Sequence, residues 1–389
     1  MGLVIGLMFV VALGALVAGL WRRHAFIWLP RWCLRELVRE PVPPGATIDV
    51  MFCFVDHFEP RWGGAGEATE DERVRRWVDG YPRLCAGVRD ADGCSPRHSF
   101  FFPSEEYRPR HIDALASLCR RGYGEIEIHL HHDNDTAAGL RANLGTFLEQ
   151  LRGHGALPQD AAGAPRWAFV HGNWALDNSR PDGRWCGVND ELSVLAEMGC
   201  YADFTLPSAP SPTQTSTVNS IYYATDDPCR PKSHDRGEPV RVGGKPSGHL
   251  MIIQGPLGLR ISRRGRLPKL AIENGDIRAN NPPWPERVDA WVRAGIAVRG
   301  RPEWVFVKVH THGTQDGDMD MLLGNPVRDM YRYLATRYND GQHYRVHFVT
   351  AREMYNIVKA AEAGLEGDAG RYRDFVVPPA AATTKEQAP

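Results

Sequence analysis

The chain has 389 residues, 43% of them hydrophobic, which is enough for one large barrel domain or two ordinary domains. Its formal net charge of -1 gives no long-range electrostatic reason to bind nucleic acid, so we expect no nucleic-acid partner. None of the eight cysteines lies in a C-x-x-C pair, which argues against a cysteine zinc site or a redox motif.

Residues 1–21 are predicted to form an uncleaved transmembrane anchor. The segment from Gly2 to Leu20 is uncharged and almost wholly apolar, and as a helix it would span about 29 Å, the thickness of a bilayer core. Basic residues follow this segment, whereas in a signal peptide they precede it. The charge bias predicts a single-pass protein of the bacterial inner membrane with a cytoplasmic soluble domain, a periplasmic one being the alternative.

Residues 22–45 mix tryptophan and arginine and end in Pro-Val-Pro-Pro-Gly. They are interpreted as a juxtamembrane linker or as a stretch that lies on the membrane surface.

From residue 46 to residue 375, strand-like and helix-like segments alternate, which predicts a single domain with a parallel β/α architecture. The predicted strands are 48–55, 99–102, a histidine-rich strand starting at 125, 167–171, 201–206 and 304–310. The predicted helices are 71–79, 112–121, 137–151, 191–198, 285–298, 320–338 and 351–363. Because polar clusters recur at the carboxyl ends of several strands, the pattern favours a barrel.

Three segments interrupt this alternation. Residues 207–248 are rich in Pro, Ser, Thr and Asp, which predicts a functional loop or a disordered insert. Residues 250–253 and 257–261 are predicted to form a small hairpin. The tail, residues 376–389, has the composition of a disordered segment.

The histidine-rich strand carries the strongest chemical signal. It reads Glu125-Ile-Glu-Ile-His-Leu-His-His-Asp-Asn-Asp135. On a strand, alternation places His129 and His131 on one face with Glu127, and the apolar residues on the other face. Imidazole and carboxylate together suit zinc and related divalent metals. His129 can pair with His131 along the strand or with Asp133 four residues on, and His132 is the weakest candidate.

Three further constellations follow other predicted strands. Asp56 and His57 come directly after the first strand and can supply a metal ligand, a general base, or one of each. After the fourth strand, His171 and Asn173 offer polar groups and Trp174 could stack on a sugar ring.

The last strand places Lys308, His310 and His312 on one face and three valines on the other. If the valines pack against outer helices, the two histidines and the lysine face the barrel interior.

In the order of these elements, the chain resembles the polysaccharide deacetylase superfamily of the carbohydrate esterase family 4 type. The resemblance covers roughly residues 48–355 and implies a distorted (β/α)7 TIM-like barrel with one divalent metal. The paired aspartates of the first family motif fall at Asp56 and His57. The second motif falls on the histidine run, where Asp133 replaces a histidine. The third falls at His171-Gly-Asn-Trp174 and the last at Val309-His310.

The resemblance implies a role for each of these residues. Proton transfer would fall to Asp56, His310 and His312. The metal, for which the nitrogen and oxygen ligands favour zinc, would be held by His57, His129 and Asp133 or His131. The implied substrate contacts are His171, Asn173, Trp174 and Lys308.

The expected function is therefore metal-dependent N-deacetylation of an N-acetylated sugar in a polysaccharide or a lipid-linked glycan at the membrane. Two alternatives stay open. One is a phosphoesterase whose two or three metals are held by H-x-H strand ends, and the other is a catalytically inactive glycan-binding or assembly protein.

Overall fold

The computed structural model describes residue 14, residues 17–262 and residues 268–380. Within them the fold is mixed α/β, with a ten-stranded, mostly parallel sheet and a separate two-stranded hairpin. The strands are β1 (Ile48–His57), β2 (His98–Pro103), β3 (Gly124–Leu130), β4 (Trp167–His171), β5 (Cys200–Asp203), β6 (Ile221–Ala224), β7 (Gly237–Pro239), β8 (Leu250–Ile253), β9 (Gly258–Ser262), β10 (Lys269–Glu273), β11 (Trp304–Thr311) and β12 (Tyr344–Val349). The helices are α1 (Ala25–Val38), α2 (Glu67–Leu84), α3 (Pro109–Leu118), α4 (Ala137–Gly153), α5 (Glu191–Glu197), α6 (Pro285–Arg293), α7 (Asp316–Leu322), α8 (Asn325–Arg337) and α9 (Ala351–Glu362).

The large sheet runs in the order β11-β1-β2-β3-β4-β5-β8-β6-β7, with β12 also pairing to β1. Strand β1 pairs with β11 from Asp49 to Asp56, with β12 up to Cys53, and with β2 from Phe54 onward. All of these pairings are parallel, so the carboxyl ends of the strands meet at one edge. In the described residues no strand pairing joins β7 to β11. The arrangement is compatible with a TIM-like fold, but the expected closed barrel is not present.

Strict alternation along the strands sorts side chains between the two faces of the sheet. In β1, Val50, Phe52 and Phe54 pack in the outer core with the helices, whereas Met51 and Val55 belong to the inner core. The same holds in β11, where the valines at 305, 307 and 309 join the outer core. The predicted orientation of β11 is thus confirmed, and its lysine and histidines point inward.

The described part of the chain contradicts the predicted placement in a membrane. None of the helices in residues 14, 17–262 and 268–380 combines the length and apolar character needed to cross a membrane. Helix α1 has 14 residues, about 21 Å at 1.5 Å per residue, against a hydrocarbon core of about 30 Å. The predicted single-pass placement in the inner membrane is therefore wrong for the chain as described. Most of the predicted anchor, residues 1–13, 15 and 16, lies outside the described residues.

Part of the segment interpreted as a linker is folded onto the domain. Trp28 of α1 is fully buried, in a cluster with Ala209, Val218 and Leu257. Trp32 lies against Gly258, where an added Cβ would come within 3.1 Å of the indole nitrogen. Helix α1 therefore packs against residues of the 207–248 segment and the β9/β10 hairpin.

The predicted irregular segments are also more ordered than expected. Residues 207–248 contain β6 and β7, which extend the large sheet: β6 pairs antiparallel with β8, and β7 pairs antiparallel with β6. Ile221-Tyr-Tyr-Ala224 has the β-branched and aromatic composition of a strand, a signal that the surrounding Pro and Ser obscure. The hairpin is formed by β9 and β10, because the predicted partner 250–253 joins the sheet as β8. In the tail, Val377 is buried, and residues 381–389 lie outside the described part.

Candidate metal centre

Six chemically active side chains meet at the carboxyl ends of β1, β3 and β11. They are His57, Glu59, His129, His131, His310 and His312. The ring of His57 stacks on that of His312 with centroids 4.5 Å apart, and it lies 4.8 Å from the ring of His129. His131 lies 4.5 Å from His129. The predicted convergence of the first, third and last strand ends is therefore observed.

Three of these side chains form a group that could hold a metal ion. Ligand atoms of His57, Glu59 and His129 all lie within 4.8 Å of one another, and all three residues are buried. Oε1 of Glu59 lies 3.2 Å from Nε2 of His129 and 3.3 Å from Nε2 of His131. His131 thus approaches the same carboxylate oxygen from the more exposed side.

The hydrogen bonds around this group leave electron pairs facing one another. Nδ1 of His129 donates to the carbonyl of Val170 at 2.7 Å, so in the neutral ring Nε2 is an acceptor that faces the carboxylate of Glu59. The other carboxylate oxygen of Glu59 is buried and has no hydrogen-bond partner within the described residues. A proton or a cation is needed between these acceptors, and the donor set of imidazole nitrogen and carboxylate oxygen fits a divalent metal.

Burial sets the charge state of the cluster. Burial, aided by the neighbouring His312 and His129, lowers the pKa of His57 well below its usual value. Burial likewise lowers the pKa of His312 to about 4. Burial and the neighbouring Lys308 together lower the pKa of His310 well below its usual range. These three imidazoles are therefore neutral at pH 7, which is the form that binds metals and accepts protons.

Glu59 and His131 are the charged members of the cluster. Burial would raise the pKa of Glu59, but its interactions with the adjacent imidazoles of His129 and His131 outweigh burial and lower that pKa below its ordinary value. Burial opposes protonation of His131, yet its hydrogen bonds to Glu105 and Glu59 raise its pKa to about 10. In the metal-free protein His131 therefore serves as the counter-charge to Glu59.

A cavity of about 350 Å³ opens beside the cluster. Trp174 and His310 line it, and the Trp174 ring lies 5.9 Å from that of His312. Polar groups come from Asn274, Asp276 and Arg278, and the facing wall is the chain from Pro207 to Ser211. The volume lies within the range of small-molecule sites, about 300–1,000 Å³.

The predicted catalytic aspartate does not face this cavity. Asp56 points to the outer face of β1, where Oδ2 lies 2.9 Å from Nε2 of His98 and Oδ1 accepts from the backbone of Gly313 at 2.5 Å. Both oxygens are occupied and fully buried. This placement does not support the prediction that Asp56 acts as general base, because strand alternation turns residue 56 outward and residue 57 inward.

Asp133 also lies apart from the cluster. Its carboxylate is exposed and accepts a hydrogen bond from the backbone of Trp185 at 2.5 Å. The strand ends at Leu130, so the predicted four-residue spacing does not bring Asp133 back to His129. Glu59 supplies the carboxylate instead. Its signal in the sequence is its position two residues after His57, on the same side of an extended chain.

Among the predicted substrate contacts, only Trp174 lines the cavity. His171 points to the outer face of the sheet, and Lys308 is 1% exposed with an ammonium nitrogen that has no hydrogen-bond partner in the described chain. Asn173 is partly exposed, with a φ of 54°. The chain passes close to the cluster at Gly172, where a Cβ would lie 2.3 Å from the His131 ring. The sequence did not single out Asn274, Asp276 or Arg278, which lie beyond any predicted strand end.

No protein-family model and no curated protein matches this chain. The resemblance drawn from its motifs therefore stays a prediction, and the function has to be argued from the geometry of the cluster and the cavity.

Proposed function

We propose that this protein is a metal-dependent hydrolase that removes the acetyl group from an N-acetylated sugar of a glycan, on a scaffold derived from a distorted (β/α)7 barrel. One observation carries the proposal. A buried group of two imidazoles and a carboxylate, from His57, His129 and Glu59, lies beside a cavity that also exposes a neutral histidine and a tryptophan.

The metal would be held by His57, Glu59 and His129, with His131 as a further ligand. A divalent ion bound there, with zinc favoured by the ligand set, supplies a Lewis acid that polarises an acyl oxygen and lowers the pKa of water. Nδ1 of His129 donates to Val170, which fixes the ring so that Nε2 faces the site. Binding of a cation would also relieve the contact between Nε2 of His129 and the Glu59 carboxylate.

Proton transfer is assigned to His310. It lines the cavity, its Nδ1 has no hydrogen-bond partner among the residues described, and its Nε2 lies 3.8 Å from Oδ1 of Asp276. A neutral imidazole can take the proton of the attacking water and return it to the departing nitrogen. The C–N bond of the amide breaks, a C–O bond to the water oxygen forms, and the products are acetate and a free amino sugar. His312 is the second candidate for this proton.

Sugar binding is assigned to the cavity walls. The Trp174 ring offers an apolar surface on which a pyranose can stack, and its buried Nε1 has no hydrogen-bond partner in the described ranges. Asn274, Asp276 and Arg278 can bind hydroxyl groups around the ring. The cavity admits one or two sugar units, so an acetylated oligosaccharide is the expected substrate class.

The test is acetate release from oligomers of N-acetylglucosamine by the full chain, with and without a chelator. We expect chelator-sensitive release in the wild type. In Glu59→Gln we expect the rate of acetate release to fall by more than the roughly 10–100-fold that follows removal of a residue that only supports a metal ligand. Glu149→Gln, at an exposed position on α4, is the matched control and should behave as wild type.

Parallel assays separate the alternatives. Release of phosphate from a phosphomonoester without release of acetate would replace the deacetylase by a phosphoesterase. Oligosaccharide binding without turnover in the metal-loaded protein would indicate a glycan-binding protein instead.

A further inference from the structure

A second group of ligand-type side chains lies on the other face of the sheet. His132 follows β3, His171 ends β4, Cys186 lies in the loop between β4 and α5, and Glu191 is the first residue of α5. Their ligand atoms lie within 4.8 Å of one another. Because Phe169 packs in the outer core, His171, two residues later on the same strand, also points outward. This group is therefore separate from the cluster beside the cavity.

The two imidazoles of this group point their Nε2 atoms at each other from a distance of 2.9 Å. Nδ1 of His132 lies 3.0 Å from a carboxylate oxygen of Asp135, and Nδ1 of His171 lies 2.5 Å from the carbonyl oxygen of Gly172. Both partners are acceptors, so both Nδ1 atoms carry a hydrogen and both Nε2 atoms of the neutral rings are acceptors.

A third acceptor converges on the same point. Oε1 of Glu191 lies 3.1 Å from Nε2 of His132 and 3.4 Å from Nε2 of His171, and the carboxylate is completely buried. Three electron-rich atoms in a buried space repel one another unless a positive charge lies between them. A cation is the group that this arrangement accommodates.

Cys186 completes the set with a sulfur atom. The backbone amides of Asn178 and Val188 point at Sγ from 3.3 and 3.5 Å, and Sγ lies 3.5 Å from Oε2 of Glu191. Sγ also lies 3.6 Å from the carbonyl oxygen of Val188, so without a metal the sulfur is held as a thiol, whose proton a bound metal ion would displace. The side chain is completely buried, which separates it from the exposed cysteines at 33 and 229.

We propose that His132, His171, Cys186 and Glu191 form a structural zinc site. Ligands at the usual zinc distances lie about 3.3–3.8 Å apart in a tetrahedron, so the two imidazoles would separate by a few tenths of an ångström. A thiolate and a carboxylate neutralise the two charges of the ion, and the thiol proton passes to solvent. Asp135 and Gly172 orient the imidazoles as supporting residues do in zinc proteins.

The site would fix the loop from residue 172 to residue 190, which carries one wall of the cavity. Five non-glycine residues of this loop have positive φ angles: Asn173, Trp174, Asp177, Asn178 and Trp185. Such conformations are strained in residues other than glycine and persist only when the surroundings hold them. A zinc ion that joins β3, β4, the loop and α5 would provide that hold, and its loss would release Trp174 from the cavity.

Cobalt substitution tests the proposal in the wild-type full chain, because this is the one group of potential metal ligands among the described residues that contains sulfur. We expect Co²⁺ to produce the near-ultraviolet charge-transfer absorption of a thiolate ligand, and zinc to abolish it by displacement. Absence of that absorption would show that a proton, and not a metal, lies between the two imidazoles. This outcome would overturn the proposal without any variant having to fold.

Matched variants locate the sulfur and count the ions. Cys186→Ser should abolish the thiolate absorption, whereas Cys229→Ser, at an exposed cysteine, should leave it unchanged. By elemental analysis, His132→Gln and Glu59→Gln should each lose about one metal equivalent per chain, and the double variant about two. Thiolate absorption that survives in Cys186→Ser, or a metal content unchanged in His132→Gln, would contradict the assignment. Because the sites are counted separately, loss of acetate release does not affect this result.

Discussion

Lys308 provides a direct test of how this protein accommodates a buried charge. The residue is 1% exposed, and within the described chain its Nζ has no hydrogen-bond partner. Burial lowers the pKa of Lys308 to about 7, although the nearby Asp203 carboxylate acts in the opposite direction. In the unfolded chain the pKa of this lysine is about 10.5. At neutral pH, folding therefore moves an ammonium group that is stable in water into surroundings that disfavour its charge.

The penalty follows from the difference between these two pKa values. Each pKa unit corresponds to about 1.4 kcal/mol, which gives a cost of roughly 5 kcal/mol at pH 6, 4 kcal/mol at pH 7 and 2 kcal/mol at pH 9. Because the folded pKa lies below the unfolded one, the cost is fully present below pH 7 and disappears as the pH rises toward 10.5. Replacing Lys308 with methionine should therefore stabilise the protein, and most strongly at low pH.

Urea unfolding of the wild type and Lys308→Met at pH 6, 7 and 9 measures this effect. Lys245→Met, at an exposed lysine, is the control and should change the unfolding free energy little at any of these pH values. Equal stability of Lys308→Met and wild type at pH 6 and pH 9 would refute the reasoning, because it would mean that the ammonium group is paired or solvated. A large loss of stability would refute it as well.

Two further predictions concern buried ionic groups away from the cavity. His347 lies between Asp49 and Asp92, and although burial opposes its protonation, these carboxylates raise its pKa to about 9. Protonated His347 therefore adds up to about 3 kcal/mol to the free energy of unfolding below pH 6.5, and this contribution is lost as the pH rises through 9. In His347→Gln, urea unfolding should show a correspondingly smaller loss of stability between pH 6.5 and pH 9. Asp56→Ala should destabilise by roughly 1–3 kcal/mol, because the backbone N–H of Gly313 loses its buried acceptor. Asp56→Asn should keep acetate release within about tenfold, and a fall of about 10²–10⁴-fold would instead restore Asp56 as a general base.

The local pattern of the sequence was sufficient to orient several strands. Strict alternation in β3 and β11 placed His129, His131, His310 and His312 on the inner face, and the structure has them there. The period-two geometry of a strand leaves only two choices, and the apolar residues determine which face is buried in the outer core. Alternation also separates Asp56 from His57, but the motif comparison favoured the aspartate because the family pattern has a carboxylate at that position.

The irregular segments could not be read in the same way. Asn274, Asp276 and Arg278 reach the cavity because an isolated parallel bridge joins Asp276 to His310 at the outer edge of β11. The partner of an edge strand depends on which distant segments the fold brings together, and no local period records it. The same applies to β6, which pairs with β8, and to β7, which pairs with β6, because both extend the sheet through a segment predicted to be irregular.

The sequence by itself determined the α/β class, the strands whose ends carry the chemistry, and the side of each strand on which the histidines lie. Only the tertiary structure decided how these side chains are grouped. It joined Glu59 to His57 and His129, turned Asp56 away, and separated His131 from its neighbour His132 into two clusters. Strand periodicity is a local property, whereas the composition of each cluster depends on contacts between residues far apart in the sequence, such as Glu59 and His129 or His57 and His312. Such contacts exist only once the sheet is assembled.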